Sequence, residues 1–159
     1  MTSEVIIRIL IVFLSVVGLA NALYFTFAYY GRIKKARWVP EILCAREGSS
    51  CVTVVQTPYA RVFGVPNSLL GIIYYVLLIV WACSGFTIGP SITIRTRAVP
   101  LSILGFLAAG AGTVVLGFYL IYALRRKLHT HCPLCYLGHA INGTLFILLM
   151  ALIDWYPSL

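Results

Sequence analysis

The sequence predicts an all-α integral membrane protein. Its fold would be a bundle of four transmembrane helices, with a short amphipathic half-helix in the first loop. Three observations carry this. Apolar residues make up 61% of the 159-residue chain and charged residues 10%, against roughly 45–50% and ~25% in soluble domains. The mean hydropathy is +0.97. The apolar residues also fall in long uncharged runs, and a helix needs ~20 such residues to cross a bilayer. A chain this short cannot hide so much apolar surface from water. That excludes a soluble monomer, a disordered chain and a nucleic-acid-binding domain, although the net charge is +8 and the pI about 9.5. The charge is read first as membrane topology.

Four spans follow, at about 8–30, 67–86, 98–124 and 133–155, all within a single domain covering residues 1–159. Helices are expected because backbone groups in lipid must pair within their own segment, and no ten-residue alternating pattern of a membrane strand is present. Arg8, the apolar run after it and Ala20-Asn21-Ala22 resemble a signal peptide with its cleavage site. The run continues to Tyr30, however, beyond the length of a signal core, so a retained span is expected. Tyr29, Tyr30, Trp38, Trp155 and Tyr156 sit near span ends, at headgroup level. The third span holds Gly105, Gly110 and Gly112 among alanines. Such bareness either lets helices approach closely or leaves room for a flat ring.

The loop 31–66 is the sizeable connection. Ser49 or Ser50 is placed to cap a half-helix starting near Cys51, and Pro58 to stop it. Val52, Val55 and Tyr59 would share one face, lying on the membrane.

Four of the five cysteines stand at informative places. Cys44 and Cys51 are in the first loop, and Cys132-Pro133-Leu134-Cys135 opens the fourth span. Two crossings separate Cys51 from Cys132, so both pairs face the same side. Pro133 suits the first position of a helix. Cys132 is then the N-cap, expected at the water boundary, and Cys135 lies one turn in, slightly inside the apolar layer. A helix N-terminus and a Cys-x-x-Cys pairing both favour thiolate, which suits the pair to thiol–disulfide exchange. A lipid-soluble electron acceptor would reach Cys135, and another protein thiol Cys132. Around Gly48, the loop pair has the spacing of an internal disulfide or a mobile arm. Other readings of the same residues are a packing accident, two structural disulfides, or a zinc site with His129 and His131. The Cys-x6-Cys spacing is unusual for zinc, and no metal is expected. Cys83, toward the opposite face, reads as a small buried apolar residue.

These residues resemble the vitamin K epoxide reductase family. The resemblance rests on the loop pair Cys44 and Cys51, on Pro66-Asn67-Ser68-Leu69-Leu70-Gly71 opening the second span, and on Cys132-Pro133-Leu134-Cys135. Order, spacing and span count agree over essentially the whole chain. Bacterial quinone-coupled disulfide oxidases place their Cys-x-x-Cys before the loop pair and match less well.

The resemblance implies a bundle around a quinone (ubiquinone, menaquinone or a relative). It makes Cys135 the thiol that reacts with the quinone, Cys132 its partner attacked by Cys51, and Cys44 the residue that exchanges with a thioredoxin-like protein. Asn67 would donate to the quinone oxygen, and Leu70, Tyr74 and Val55 would line the pocket. Two positions depart from the animal enzymes. His139 stands where they carry a tyrosine near the substrate oxygen, and Val55 where they carry an aromatic ring. His139 shares the face of Cys135 one turn on, either to serve a reduced quinone or to satisfy a neighbouring helix. The change favours quinone reduction coupled to disulfide formation over epoxide reduction. A non-catalytic membrane protein with structural cysteines is the alternative from another class.

Arg32, Lys34, Lys35, Arg37, Arg46, Arg61, Arg125, Arg126 and Lys127 lie on the cysteine-bearing face, and Arg8, Arg95 and Arg97 on the other. The positive-inside rule then puts the cysteines in the cytoplasm. Cytosolic disulfides are rare outside hyperthermophilic prokaryotes, so an inward-facing enzyme of such an organism is expected. Part of the basic charge would meet anionic lipid headgroups.

Overall fold

A computed structural model describes residues 3–32, 51–62, 64–84, 90–94 and 97–153. Helix α1 (Ser3–Tyr29) is followed by the half-helix α2 (Cys51–Gln56) and a 3-10 turn (Pro58–Ala60). Two-residue strands β1 (Arg61–Val62) and β2 (Val65–Pro66) then pair antiparallel. Helix α3 (Asn67–Cys83) leads to the hairpin of β3 (Ser91–Ile94) and β4 (Arg97–Pro100). Helices α4 (Leu101–Arg126) and α5 (Pro133–Ile153) complete the described chain.

Three helices, α1, α4 and α5, are long and apolar enough to cross a membrane, and α3 is a shorter apolar helix. At ~1.5 Å per residue, its 17 residues span about 25 Å, short of a ~30 Å hydrocarbon core by about one turn. Helix α1 begins five residues earlier than expected, its first turns carrying an Arg8–Glu4 ion pair of 3.4 Å. Helix α4 begins at Leu101 rather than 98 because residues 97–100 belong to the hairpin. That hairpin is closed by Leu101 N–H donating to Pro90 O (2.8 Å). The β-branched Ile92-Thr93-Ile94 run just after Pro90 and Ser91 is its signal in the sequence.

Helix α1 packs along α3 and against α5, and α4 packs on α5. Side chains alone bridge much of the α3–α4 seam: Trp81 stacks on Phe106 and its Nε1 donates to Ser102 Oγ (3.0 Å). The main core joins Ile11, Leu78, Ile103, Leu145 and Leu149, all fully buried. Outward residues are as apolar as inward ones, with Phe118 72% and Val115 70% exposed on α4 and Ile147 67% on α5. A face of this kind is stable against lipid and not against water.

Polar ties inside the bundle hold the register. The Thr26 and Ser68 hydroxyls meet at 3.0 Å between α1 and α3. Tyr75 O–H donates to Asn142 Oδ1 (2.7 Å) between α3 and α5. The Tyr75 ring occupies a notch that exists only because residue 18 is glycine, since a Cβ there would lie 2.4 Å from the ring.

The half-helix forms where expected, but its buried side differs. Val54 and Val55 are the buried pair. Tyr59 falls on the 3-10 turn instead, because α2 stops at Gln56, ahead of Pro58. The side chain of Val52 lies outside the described residues, as do Ser49 and Ser50. Cys83 is also corrected: it is exposed, at the last position of α3, where the helix runs out of neighbours.

Candidate functional site

Helix α5 starts at Pro133, so Cys132 is its N-cap residue. Cys135 N–H reaches both Cys132 O (3.0 Å) and Cys132 Sγ (3.3 Å). This is how a short polar side chain caps a helix, here with sulfur in place of oxygen. The Cα atoms of Cys132 and Cys135 are 5.3 Å apart and the two sulfurs are bonded as a disulfide.

The two cysteines have different surroundings. Cys132 has no exposed surface. It is packed in a cluster with Phe25 and Ala28 of α1, Val54 and Val55 of α2, and Leu124 of α4. This corrects the expected water-boundary position. Helix α2 packs chiefly on α1, and its two buried valines belong to the same cluster as Cys132. Cys135 is half-buried and lines a cavity of about 460 Å³ between the helices. Helix α2 begins at Cys51, which brings the first loop's second cysteine position to the same end of the bundle. The Cys51 side chain and the whole of Cys44 lie outside the described residues.

The cavity has the size of a small-molecule site, for which ~300–1,000 Å³ is usual. It gathers every expected pocket residue: Asn67, Leu70, Tyr74, Val55 and His139 all line it with Cys135. Asn67, Leu70 and Tyr74 do so because positions i, i+3 and i+7 share one helix face. Cys135 and His139 do so as an i, i+4 pair.

Most of the wall is apolar, and its polar atoms are short of partners. Asn67 Oδ1 and Tyr74 Oη are buried without a hydrogen bond among the described residues. Asn67 Nδ2 makes a long contact to Tyr59 O (3.5 Å), which uses one of its two hydrogens. Unpaired buried polar groups are uncommon in proteins, and several on one cavity wall fit a ligand that carries oxygen. His139 packs on Gly117 of α4, where a Cβ would lie 3.0 Å from Nδ1. That nitrogen is buried with no hydrogen-bond partner among the described residues.

The glycines of α4 divide between the two uses the sequence left open. Gly110 and Gly117 are buried and admit Phe146 and His139 of α5 closely. Gly112 lines the cavity, and a Cβ there would meet nothing within 4 Å. Close approach and free space therefore occur on the same helix at different residues.

Sequence reasoning missed Asn21, Tyr75 and Asn142, which also line the cavity. The signal for Asn21 was an amide in the middle of an apolar span, a position where polar residues are costly. Among the described residues no group of three His, Cys, Asp or Glu is placed to hold a metal ion. His129 and His131 are exposed.

Comparison with known families gives a match over residues 9–150 to the model described as the vitamin K epoxide reductase family. No curated protein matches the chain.

Proposed function

The chain belongs to the vitamin K epoxide reductase family, and on that premise we propose that it is a membrane thiol:quinone oxidoreductase of four spans, with α3 as the short one. It would form disulfides in a thioredoxin-like partner and pass the electrons to a quinone of the ubiquinone or menaquinone kind. The observation that carries this reading is the unequal placing of one cysteine pair. Cys135 lines the cavity, while Cys132 is buried in a cluster that includes Val54 and Val55 of the helix that starts at Cys51.

The electron path is the one the family resemblance implies, and that placing supports it. The partner's dithiol reduces the Cys44–Cys51 pair, with Cys44 the residue it meets. Cys51 then exchanges with Cys132, leaving Cys132 and Cys135 as thiols. Those two thiols close again to a disulfide, and their two electrons and two protons leave on the quinone as quinol. Thiol exchange needs a thiolate in line with the disulfide it attacks, so the buried Cys132 is served from within the protein, by Cys51, rather than by an outside thiol. Asn67 and Tyr74 supply hydrogen-bond donors for a quinone oxygen, and the apolar remainder of the wall holds the ring.

Leu70 of α3 is 40% exposed and, with Ala109 and Gly112 of α4, forms the cavity's lip at the seam bridged mainly by side chains. An isoprenoid tail would leave there into lipid. Gly112→Leu tests this. It should fold normally and raise the quinone KM roughly tenfold, the effect of about one or two misplaced methylenes in a fitted pocket. Gly110→Leu, which meets Phe146 Cδ2 within 3.2 Å, should instead lower stability by ~1–3 kcal/mol. Equal KM values for the wild type and Gly112→Leu would remove the lip from the quinone's path.

The overall test is turnover of a water-soluble quinone by the detergent-purified protein, with a small dithiol or reduced thioredoxin-like protein as donor. Absence of turnover with several quinones, in a folded sample, would overturn the reading. The basic bias of nine against three Lys and Arg supports a cytoplasmic cysteine end. In intact cells, a membrane-impermeant thiol reagent should then leave Cys44 and Cys51 unlabelled until the membrane is opened. Prompt labelling from outside would reverse the orientation.

A further inference from the structure

Asn21 is joined to the reactive pair through a single peptide group. Its Nδ2 donates to Leu134 O (3.2 Å). The Leu134 carbonyl and the Cys135 N–H are the two ends of one planar, conjugated amide. That N–H in turn points at Cys132 Sγ (3.3 Å) and shares itself with Cys132 O. The path is therefore Asn21 N–H to Leu134 C=O, across the amide, then Cys135 N–H to Cys132 sulfur. A hydrogen bond accepted by an amide oxygen polarises the amide and strengthens its N–H as a donor.

Two further features are hard to explain by packing alone. Asn21 reaches α5 only because residue 138 is glycine, where a Cβ would lie 2.8 Å from the Asn21 nitrogen. Its own Oδ1 is buried with no partner among the described residues. One ordinary hydrogen bond does not offset an unpaired buried acceptor, so leucine at this position of an apolar span would serve stability better.

We propose that Asn21 is a positioning residue that tunes the redox balance of Cys132–Cys135, by strengthening the N–H donated to the Cys132 sulfur. This rests on the proposed function only in taking the pair as redox-active. A dithiol supplies two electrons and closes to its own disulfide, and the Cys132–Cys135 S–S bond breaks. Cys132 sulfur then carries full or partial negative charge, and Cys135 takes a proton. Hydrogen bonds to charged sulfur are stronger than those to neutral sulfur. Asn21 therefore favours the reduced pair, and the disulfide is the more readily reduced for it, as in disulfide oxidants whose reduced form is stabilised.

The test is the thiol–disulfide equilibrium of this pair in the full-length, detergent-purified protein, poised in dithiothreitol buffers and read by alkylation and peptide mass. Asn21→Leu keeps the branched shape, with a larger volume, and removes the donor. Its equilibrium constant for reduction should fall by roughly twofold to fourfold. Gly138→Ala attacks the same hydrogen bond from the other helix and should give a shift of the same sign. Added to Asn21→Leu, it should give almost no further shift, because the bond is already gone. An unchanged equilibrium in folded Asn21→Leu overturns the proposal. If that variant does not fold, an unchanged equilibrium in Gly138→Ala does so. Quinone turnover of the wild type, measured beside it, separates the two readings. A shifted equilibrium without wild-type turnover would keep the relay and remove the proposed function. Wild-type turnover with an unshifted equilibrium would do the reverse.

Discussion

Cys135→Ala is expected to lower quinone turnover by at least about a thousandfold, with no loss of helix content. The magnitude follows from the role proposed for the residue. In a site whose members act as a unit, losing one covalent participant removes nearly all the chemistry. Structural cost should be small, because Cys135 is half-buried on a cavity wall and its alanine replacement opens no new void in a packed core. Cys132→Ala should also stop steady turnover, since Cys135 then lacks a partner to close on. The two variants separate by reactivity. A small thiol reagent that partitions into lipid should modify Cys135 quickly in Cys132→Ala, through the cavity. It should modify Cys132 slowly in Cys135→Ala, because that sulfur has no exposed surface. Turnover surviving Cys135→Ala would mean that the loop cysteines reduce the quinone directly, and the cavity would lose its role.

Residues on a single helix were legible because helical spacing alone decides whether they meet. The family resemblance assigned Asn67, Leu70 and Tyr74 to one pocket, and their i, i+3, i+7 spacing lets the structure bring all three to the cavity with Cys135 and His139. The start of α5 at Pro133 and the end of the half-helix ahead of Pro58 were equally local, marked by one proline each. Relations between helices were not legible. In a soluble bundle the apolar stripe tells which face turns inward. Here lipid is as apolar as the core, so the outward Phe118 and the inward Leu145 look alike in sequence. The rotation of α1 that points Asn21 at Leu134 therefore left no mark except the amide itself. The same ambiguity hid which glycines of α4 face Phe146 and His139, and which one faces the cavity. The burial of Cys132 was missed for a related reason. Its exposure was inferred from its place at the end of a span, while the residues clustered with it come from α1, α2 and α4.

That cover leads to the second large effect. Val54→Asp should raise the rate at which a bulky, water-soluble thiol reagent modifies Cys132 by about 10²–10³, measured after reduction of the pair. Val54 and Val55 are 8% and 7% exposed and pack in the cluster that holds Cys132 and Leu124. A carboxylate there would be buried among the apolar side chains of that cluster, and an uncompensated buried charge costs ~3–5 kcal/mol. Helix α2 has six residues, too few to stay helical without its packing. Opening the segment is therefore the cheapest way to hydrate the charge, and each ~1.4 kcal/mol is tenfold in the open population. The rest of the bundle should persist, since its main core of Leu78, Leu145 and Leu149 is a separate cluster. Val54→Thr, which keeps the shape and adds only a hydroxyl, should give a much smaller increase. Should labelling stay slow in folded Val54→Asp, α2 would not be the cover over Cys132. Exchange from Cys51 would then need another route to the buried sulfur.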